Sequence, residues 1–267
     1  MTTDQLQDVI QARVERERAA HTEDDVLGRS IVLKNRFAHI WNYPALRRLR
    51  ASQDTHLADL TGRRVLDFGC GRGERSLTLL ERNAVVDGID ISRVYIEEAD
   101  AAAHAAGHSA ERFQFVVGDA HALPYADATF DIVVGDGILH HLDLDTALSE
   151  IHRVLKPGGR ALFSEPLLDN PLLKLFRLLT PRARTEDERP FSASDLRRID
   201  DSGLWNVESS YCGLVSAPVA VMTSFILRPY PDNVLLRMSD SLEKALGSFG
   251  PVRSMNQYVF MNLVRSH

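Results

Sequence analysis

Cysteine is scarce: Cys70 and Cys212 are the only two in 267 residues. Two cysteines cannot build a disulfide framework or a cysteine zinc site, and they suit a reducing cytoplasm, the expected location. A basic excess is missing too. Lys and Arg number 31 against 37 Asp and Glu, a formal net charge of −6. A duplex-binding chain carries the opposite balance, so nucleic acid is not expected as the main partner. Long apolar runs are absent: the longest, 214–227, is interrupted by Ser216, Pro218, Thr223 and Ser224 and falls short of the ~20 residues of a membrane helix. The opening MTTDQLQDVI has no basic start followed by an apolar core, so no secretory leader is expected. There is no internal repeat and no low-complexity segment. His21, His39, His104, His108, His121 and His152 are scattered without metal-ligand spacing, and no metal is expected. What is present is ordinary: 44% hydrophobic and 25% charged residues. That composition excludes a disordered, collagen-like or coiled-coil chain and leaves a globular protein with a sizeable core.

The pattern along the chain has two regimes. Residues 1–60 read as charged helices. Alternating charges over 13–18 mark a solvated face, and the aromatic stretch RFAHIWNY (36–43) leads into Pro44. From Arg63 onward, buried strands alternate with helices. Strands are expected at 63–68, 84–90, 112–119, 129–136, 160–165, 204–211 and 257–266. Helices are expected at 74–82, from an N-cap at Ser92 to near Gly107, at 143–155 up to the stop Lys156-Pro157-Gly158-Gly159, and at 194–202. Such alternation implies an α/β fold, a Rossmann-like doubly wound sheet covered on both faces, with ligands bound at the carboxyl ends of the strands. Two apolar insertions, at about 167–191 and 213–250, and a helical N-terminal lid over 1–60 form a cap on a catalytic domain of 61–267.

The chemistry concentrates just after strands. Asp67-Phe68-Gly69-Cys70-Gly71-Arg72-Gly73 is a glycine-rich strand-to-helix turn, where the backbone can pass close to a ligand and the next helix offers free N–H groups. Asp90 ends the second strand, where a carboxylate can accept both hydroxyls of a ribose. The turn departs from the dinucleotide fingerprint G-x-G-x-x-G, because Glu74 fills the slot of the third glycine. Extra acid at this turn suits a ligand carrying positive charge better than a pyrophosphate. Cys70 reads as a small residue in a tight turn with nothing nearby to activate it.

VLDFGCGRG (65–73), with Asp90, resembles the cofactor motif of class I S-adenosylmethionine-dependent methyltransferases. GDAHALPYADATFDIVV (118–134), ILHHL (138–142) and LKPGGRALFSEP (155–166) follow in the order and spacing of that family's later motifs. They are most similar to its small-molecule branch, called type 11 or UbiE-like. The resemblance covers about 60–166 and the final strands. It implies a sheet of about seven strands, mostly parallel with an antiparallel last strand, and S-adenosyl-L-methionine as cofactor, leaving as S-adenosyl-L-homocysteine. It also implies roles. Gly69 and Gly71 pass under the methionine part, and Asp67 sits near its ammonium group. Asp90 holds the ribose hydroxyls and Ile91 packs on adenine. Asp119 accepts from the adenine amino group, with the Ala120 N–H nearby. Gly135 and Asp136 lie beside the methionine part. Tyr43 either closes over the cofactor or staples the first helices to the sheet.

Methyl transfer from a sulfonium needs alignment and exclusion of water; a base is required only where the acceptor must lose a proton. His141 and His140 follow the fourth strand, at the edge where the reactive methyl is expected, and either has the pKa range of a base. Glu165, after the fifth strand, is a candidate base, a substrate ligand or a support for His141. Arg72, Arg75 and Trp41 are weaker candidates. The apolar insertions favour a small, largely apolar acceptor, such as a specialised metabolite or a quinone-like compound. Arg177, Arg182 and Arg184 could bind an acidic group, but Glu186, Asp187 and Glu188 beside them suit a solvated loop. A cyclase or rearrangement enzyme on the same fold is the alternative. A nicotinamide oxidoreductase, disfavoured by Glu74, and a non-enzymatic cofactor-binding regulator are more distant ones. The charged N-terminal helix could pack on a second subunit in a homo-oligomer.

Overall fold

The computed structural model describes residues 15, 42–171, 174–175, 178, 190–226, 232–246 and 249–266. The lid expected over 1–60 therefore lies outside the described residues up to 41, apart from Glu15. So do Trp41, His21, His39 and the 182–188 loop with its charged residues, as well as Arg177.

After helix α1 (Pro44–Thr55), strands and helices alternate: β1 (Arg64–Phe68), α2 (Glu74–Glu81), β2 (Val85–Asp90), α3 (Arg93–Ala105), β3 (Phe113–Val117), β4 (Phe130–Asp136), α4 (Leu144–Val154), β5 (Leu155–Pro166), α5 (Ala193–Asp201) and β6 (Trp205–Cys212). Two cap helices follow, α6 (Ser216–Ile226) and α7 (Val234–Leu246), and β7 (Tyr258–Arg265) ends the sheet. Seven strands pair in the order β3-β2-β1-β4-β5-β7-β6. Pairing is parallel from β3 through β5, and β7 runs antiparallel to both β5 and β6. The order turns back between β1 and β4, which opens a crevice at their carboxyl ends.

Neighbouring residues of one strand feed opposite cores, as the two-residue strand period dictates. Val65, Val134, Leu162 and Phe260 belong to the core that includes α1, α2 and the cap helices. Leu66, Val133, Phe163 and Met261 belong to the one formed with α4 and α5. The strands are thus apolar on both faces, which explains why they read as continuous hydrophobic runs.

Helix starts are written locally. The Ser92 side chain accepts from the Tyr95 N–H at the start of α3, and Asp143 does the same for the Thr146 N–H at α4. Ser192 and Asp195 form a reciprocal capping box on α5. The cap helix α7 departs from the usual amphipathic rule: its buried face includes Ser239, Asp240 and Glu243. The Glu243 carboxylate accepts the N–H groups of Gly213, Val215 (3.3 Å) and Ser216 (2.9 Å), so it caps the start of α6 from a neighbouring helix.

β5 begins at Leu155, before the sequence-expected start at 160. The Lys-Pro-Gly-Gly stretch ends α4 as expected but stays beside β4. A Cβ on Gly159 would fall 2.8 Å from the Lys156 carbonyl oxygen and 3.0 Å from that of Asp131. Two glycines permit this approach, and the price is a register shift between Phe130 and Ile132.

The joint between β1 and α2 is as tight. Gly73 caps α2 at φ +82°, and a Cβ there would lie 2.9 Å from Ala99 Cβ and 3.1 Å from Ala99 Cα on α3. Both the left-handed conformation and the contact with backbone require glycine. Gly73→Ala is expected to destabilise the protein by about 2–4 kcal/mol. Urea denaturation checks this, and a loss under ~0.5 kcal/mol would show that α2 and α3 can separate without cost.

Candidate functional site

The cleft at the carboxyl ends of β1 to β4 encloses about 930 Å³ including its open mouth. Gly69 and Gly71 line one side; Asp90 and Ile91 enter from the end of β2 and Tyr95 from α3. The turn after β3 contributes Gly118 to His121, and the segment after β4 contributes Asp136, Ile138 and His141. Of the residues singled out in the sequence, Gly69, Gly71, Asp90, Ile91, Asp119, Ala120, Asp136 and His141 meet in this one space.

The glycine turn is strapped to the end of β2. The Gly69 and Cys70 N–H groups donate to the Ile89 carbonyl at 2.9 and 3.0 Å. The Gly71 N–H donates to Asp90 Oδ2 at 2.9 Å, and the Ser92 N–H donates to Asp90 Oδ1 at 2.9 Å. A carboxylate offers about four lone-pair positions, so each oxygen retains capacity for a ligand hydroxyl. Cys70 packs beneath the turn, and burial pushes its thiol up, away from the reactive thiolate.

Five residues are not brought to the cleft wall. Asp67 is buried beneath the turn, where Ser76 Oγ donates to its Oδ2 at 2.5 Å. Desolvation raises its carboxyl to about 6, opposed by Ser76 and by the positive charge of Arg75. Gly135 is a packing glycine: a Cβ there would strike Phe163 at 2.5 Å and Ile138 at 2.9 Å. Gly69 meets the same Ile138 side chain from the other side, so two glycines clamp the isoleucine that lines the cleft.

Tyr43 corrects the lid expectation. It is fully buried, and its hydroxyl donates to Gln257 Oε1 at 2.7 Å, with Cys212 Sγ 3.8 Å away. Of its two sequence readings, only the staple between the first helix and the sheet matches this placement.

Glu165 and His140 form the remaining pair. Glu165 is wholly buried, and its Oε1 accepts the N–H groups of Ile138 (3.1 Å) and Leu139 (2.8 Å). Its Oε2 lies 2.7 Å from His140 Nδ1. With two backbone donors already on the carboxylate, the imidazole Nδ1 takes the donor role. The His140 ring centroid is 4.1 Å from that of His141, the planes tilted by 41°. Glu165 therefore supports His140, not His141 as expected, and His140 backs the histidine that faces the cleft.

Three contributors were missed. Gln53 of α1 is buried; its Nε2 donates to Asp136 Oδ1 at 3.3 Å, and its Oε1 accepts from Ser164 Oγ at 3.4 Å. Arg75 pairs with the other oxygen of Asp136. These contacts join segments far apart in sequence, and no local pattern announces them. Tyr95 stands in the first turn after the Ser92 cap, a position that faces the strand ends. The Arg72 guanidinium lies 4.7 Å from its ring centre, a cation–π contact that steadies the ring. His121 is the third, held at both ring nitrogens: Nδ1 is 2.8 Å from Asp119 Oδ1, and Nε2 accepts the Asp143 N–H at 2.9 Å.

The donor set fits a nucleoside carrying a cation. Carboxylates at Asp90 and Asp119 suit hydroxyl and amino donors, and Asp67 and Asp136 add negative potential near the glycine turn. Among the described residues no group of three or more His, Cys, Asp or Glu is placed to hold a metal ion.

Residues 66–163 match a sequence family described as a methyltransferase domain. Over 109 residues the chain is 41% identical to 27-O-demethylrifamycin SV methyltransferase of Amycolatopsis mediterranei, covering 40% of this chain and 40% of that protein. Over 132 residues it is 36% identical to demethylmenaquinone methyltransferase of Lactococcus lactis, covering 48% of this chain and 51% of that protein. The matches thus span about half the length of these curated relatives, or less. The fold is similar to that of geranyl diphosphate C-methyltransferase from Streptomyces coelicolor, crystallised with Mg2+, geranyl diphosphate and S-adenosyl-L-homocysteine. That comparison has a TM-score of 0.58 at 18% identity and covers 82% of this chain and 80% of the other.

Asp67 has a measurable cost. Its folded carboxyl holds a proton up to about pH 6, whereas an unfolded aspartate releases it near pH 3.9. Ionisation therefore favours the unfolded chain, and the ligand-free protein loses stability from this group as pH rises from about 4 through 6. The full effect is about 3 kcal/mol. Asp67→Asn, which resembles the protonated acid, is expected to match the wild type at pH 4 and exceed it by up to that amount at pH 7. Urea denaturation of both proteins at the two pH values tests this; equal stability at pH 7 would refute it.

Proposed function

We propose, from the match of residues 66–163 to a methyltransferase domain, that the chain is a class I methyltransferase of the type 11 branch that transfers a methyl group from S-adenosyl-L-methionine to a small, largely apolar molecule. The observation that supports this reading is the meeting of the glycine turn, Asp90, Asp119 and His141 around one cleft. Asp90 takes the ribose hydroxyls, Ile91 packs on the adenine and Asp119 accepts from its amino group, beside the Ala120 N–H. The methionine part runs over Gly69 and Gly71, its ammonium within the field of Asp67 and Asp136. When bound, the cofactor supplies a methyl group activated by positive sulfur: the acceptor's lone pair bonds to the methyl carbon as the carbon–sulfur bond breaks and its electron pair stays on sulfur.

The protein's remaining tasks are alignment, exclusion of water and, for a hydroxyl or amine acceptor, removal of one proton. His141 faces the cleft and receives that proton. His140 and Glu165 fix its position from behind, because Glu165 ties the backbone of Ile138 and Leu139 and the His140 ring to the end of β5. The acceptor approaches from the side of His141, beside the apolar side chains of Ile138 and Leu142. The relatives named for rifamycin and menaquinone chemistry are consistent with a ring-bearing acceptor. Among the described residues no helix is long and apolar enough to cross a membrane.

S-Adenosylhomocysteine at about 100 times its dissociation constant is expected to stabilise the wild type by about 2.7 kcal/mol. NAD should not, and Asp90→Ala should abolish the shift. Stabilisation by NAD alone would overturn the cofactor reading. In turnover with an acceptor identified by screening, the product should gain the mass of one methyl group. A rearranged product of unchanged mass would favour the cyclase alternative. His141→Ala is expected to lower turnover of a hydroxyl or amine acceptor by about 10²–10⁴-fold while cofactor binding holds. An unchanged rate would remove the base.

A further inference from the structure

Scattered in the sequence, His121 has the most fully specified side chain at the cleft. Its ring is almost wholly buried, with 5% of the side chain exposed. Nε2 faces the Asp143 N–H at 2.9 Å. A backbone N–H only donates, so Nε2 holds a lone pair and the proton resides on Nδ1. That Nδ1–H donates to Asp119 Oδ1 at 2.8 Å, and the His121 backbone N–H donates to the same oxygen at 2.8 Å. One residue thus places two donors on one oxygen of Asp119.

The other end of the relay is anchored. Asp143 caps α4, its Oδ1 accepting from the Thr146 N–H at 3.0 Å and the Thr146 hydroxyl at 2.7 Å. The aspartate that caps the helix with its side chain therefore fixes the histidine tautomer with its backbone. A rigid helix end sets which ring nitrogen donates, and the ring helps to set the orientation of Asp119. Two N–H donors on one oxygen fix the direction in which the Asp119 carboxylate meets the cleft, and a carboxylate accepts.

We propose that His121 is a specificity-determining positioning residue. By holding Asp119 as an oriented acceptor, it makes the cleft select a nucleobase bearing an exocyclic amino group over one bearing a carbonyl oxygen at that place. A carbonyl facing a fixed carboxylate sets two acceptors against each other, whereas an amino group donates to it. This inference rests on the reading of the cleft as the S-adenosylmethionine site.

Two substitutions separate the halves of the relay without a large void. His121→Asn retains a side-chain N–H near the Nδ1 position and loses the reach to Asp143. His121→Gln carries its amide to the Nε2 position, where it can meet the Asp143 N–H, and loses the Asp119 contact. Calorimetric titrations use S-adenosylhomocysteine and S-inosylhomocysteine, which differ at the amino position. The wild type should prefer the adenosyl ligand by about tenfold or more. His121→Asn should keep most of that preference. His121→Gln should lose it by weakening the adenosyl ligand about tenfold while leaving the inosyl ligand little changed. In an Asp119→Ala background neither substitution should matter further. Equal weakening of both ligands by His121→Gln, or an effect that persists without Asp119, would reduce His121 to a structural tie and overturn the proposal. Failure of the wild type to bind S-adenosylhomocysteine would instead overturn the reading of the cleft, and this inference with it.

Discussion

Everything at the cleft hangs from the attachment of the glycine turn to the end of β2. Three successive N–H groups, from Gly69, Cys70 and Gly71, are spent on the Ile89 carbonyl and the Asp90 carboxylate. That attachment fixes the distance between the turn and the acid at the strand end. It also brings the start of α2 against α3, where Gly73 leaves no room for a side chain. A ligand spanning these elements meets a surface whose spacing is set before it arrives, so little ordering is left to oppose binding. The same carboxylate serves fold and ligand together, and a change at Asp90 acts on both.

The four cleft-region aspartates show how environment divides one side-chain type into different roles. Asp90 and Asp119 each accept backbone N–H groups, which fixes their oxygens in place. Asp136 is held by Arg75 and Gln53. Asp67 has one hydroxyl donor and almost no solvent, and desolvation prevails over the help it receives. A buried acid that weakens the free protein near neutral pH has no packing justification, since an amide of equal size would fill the space. The fold sets the Arg75 charge against that cost, and a further cation beside the turn would offset more of it.

Local signals made the frame legible. The alternation of strand and helix, the N-caps at Ser92 and Asp143 and the glycine turn depend on residues close in sequence, and their order along the chain gave the layering. The start of β5 was placed too late because glycine and proline usually end structure; here two glycines let the chain run on beside β4. What stayed hidden depends on long-range contact. Gln53 reaches Asp136 and Ser164 across most of the sheet's sequence, and Tyr43 finds Gln257 near the chain's end. Neither residue type carries a periodic or spaced signature for such partners. His121 is hidden for another reason: it has no metal-ligand spacing, and its partners are a carboxylate two positions back and a backbone N–H 22 residues on.

The histidine pair illustrates why motif residues need geometry before they receive roles. In sequence, His140 and His141 are equivalent and Glu165 is a free carboxylate after a strand. In the fold, Glu165 is fully occupied by two backbone N–H groups and one imidazole. An acid with that many donors has both oxygens engaged in holding the fold, and losing any of those contacts would leave a buried polar group unpaired. His140 is committed to that acid and is buried behind the residues that line the cleft. Of the two histidines, His141 is the one that lines the cleft, its ring against its neighbour's. The buried pair consumes its own hydrogen-bonding capacity to hold a short turn beside the cleft in one conformation, and a site placed on so supported a turn keeps its geometry.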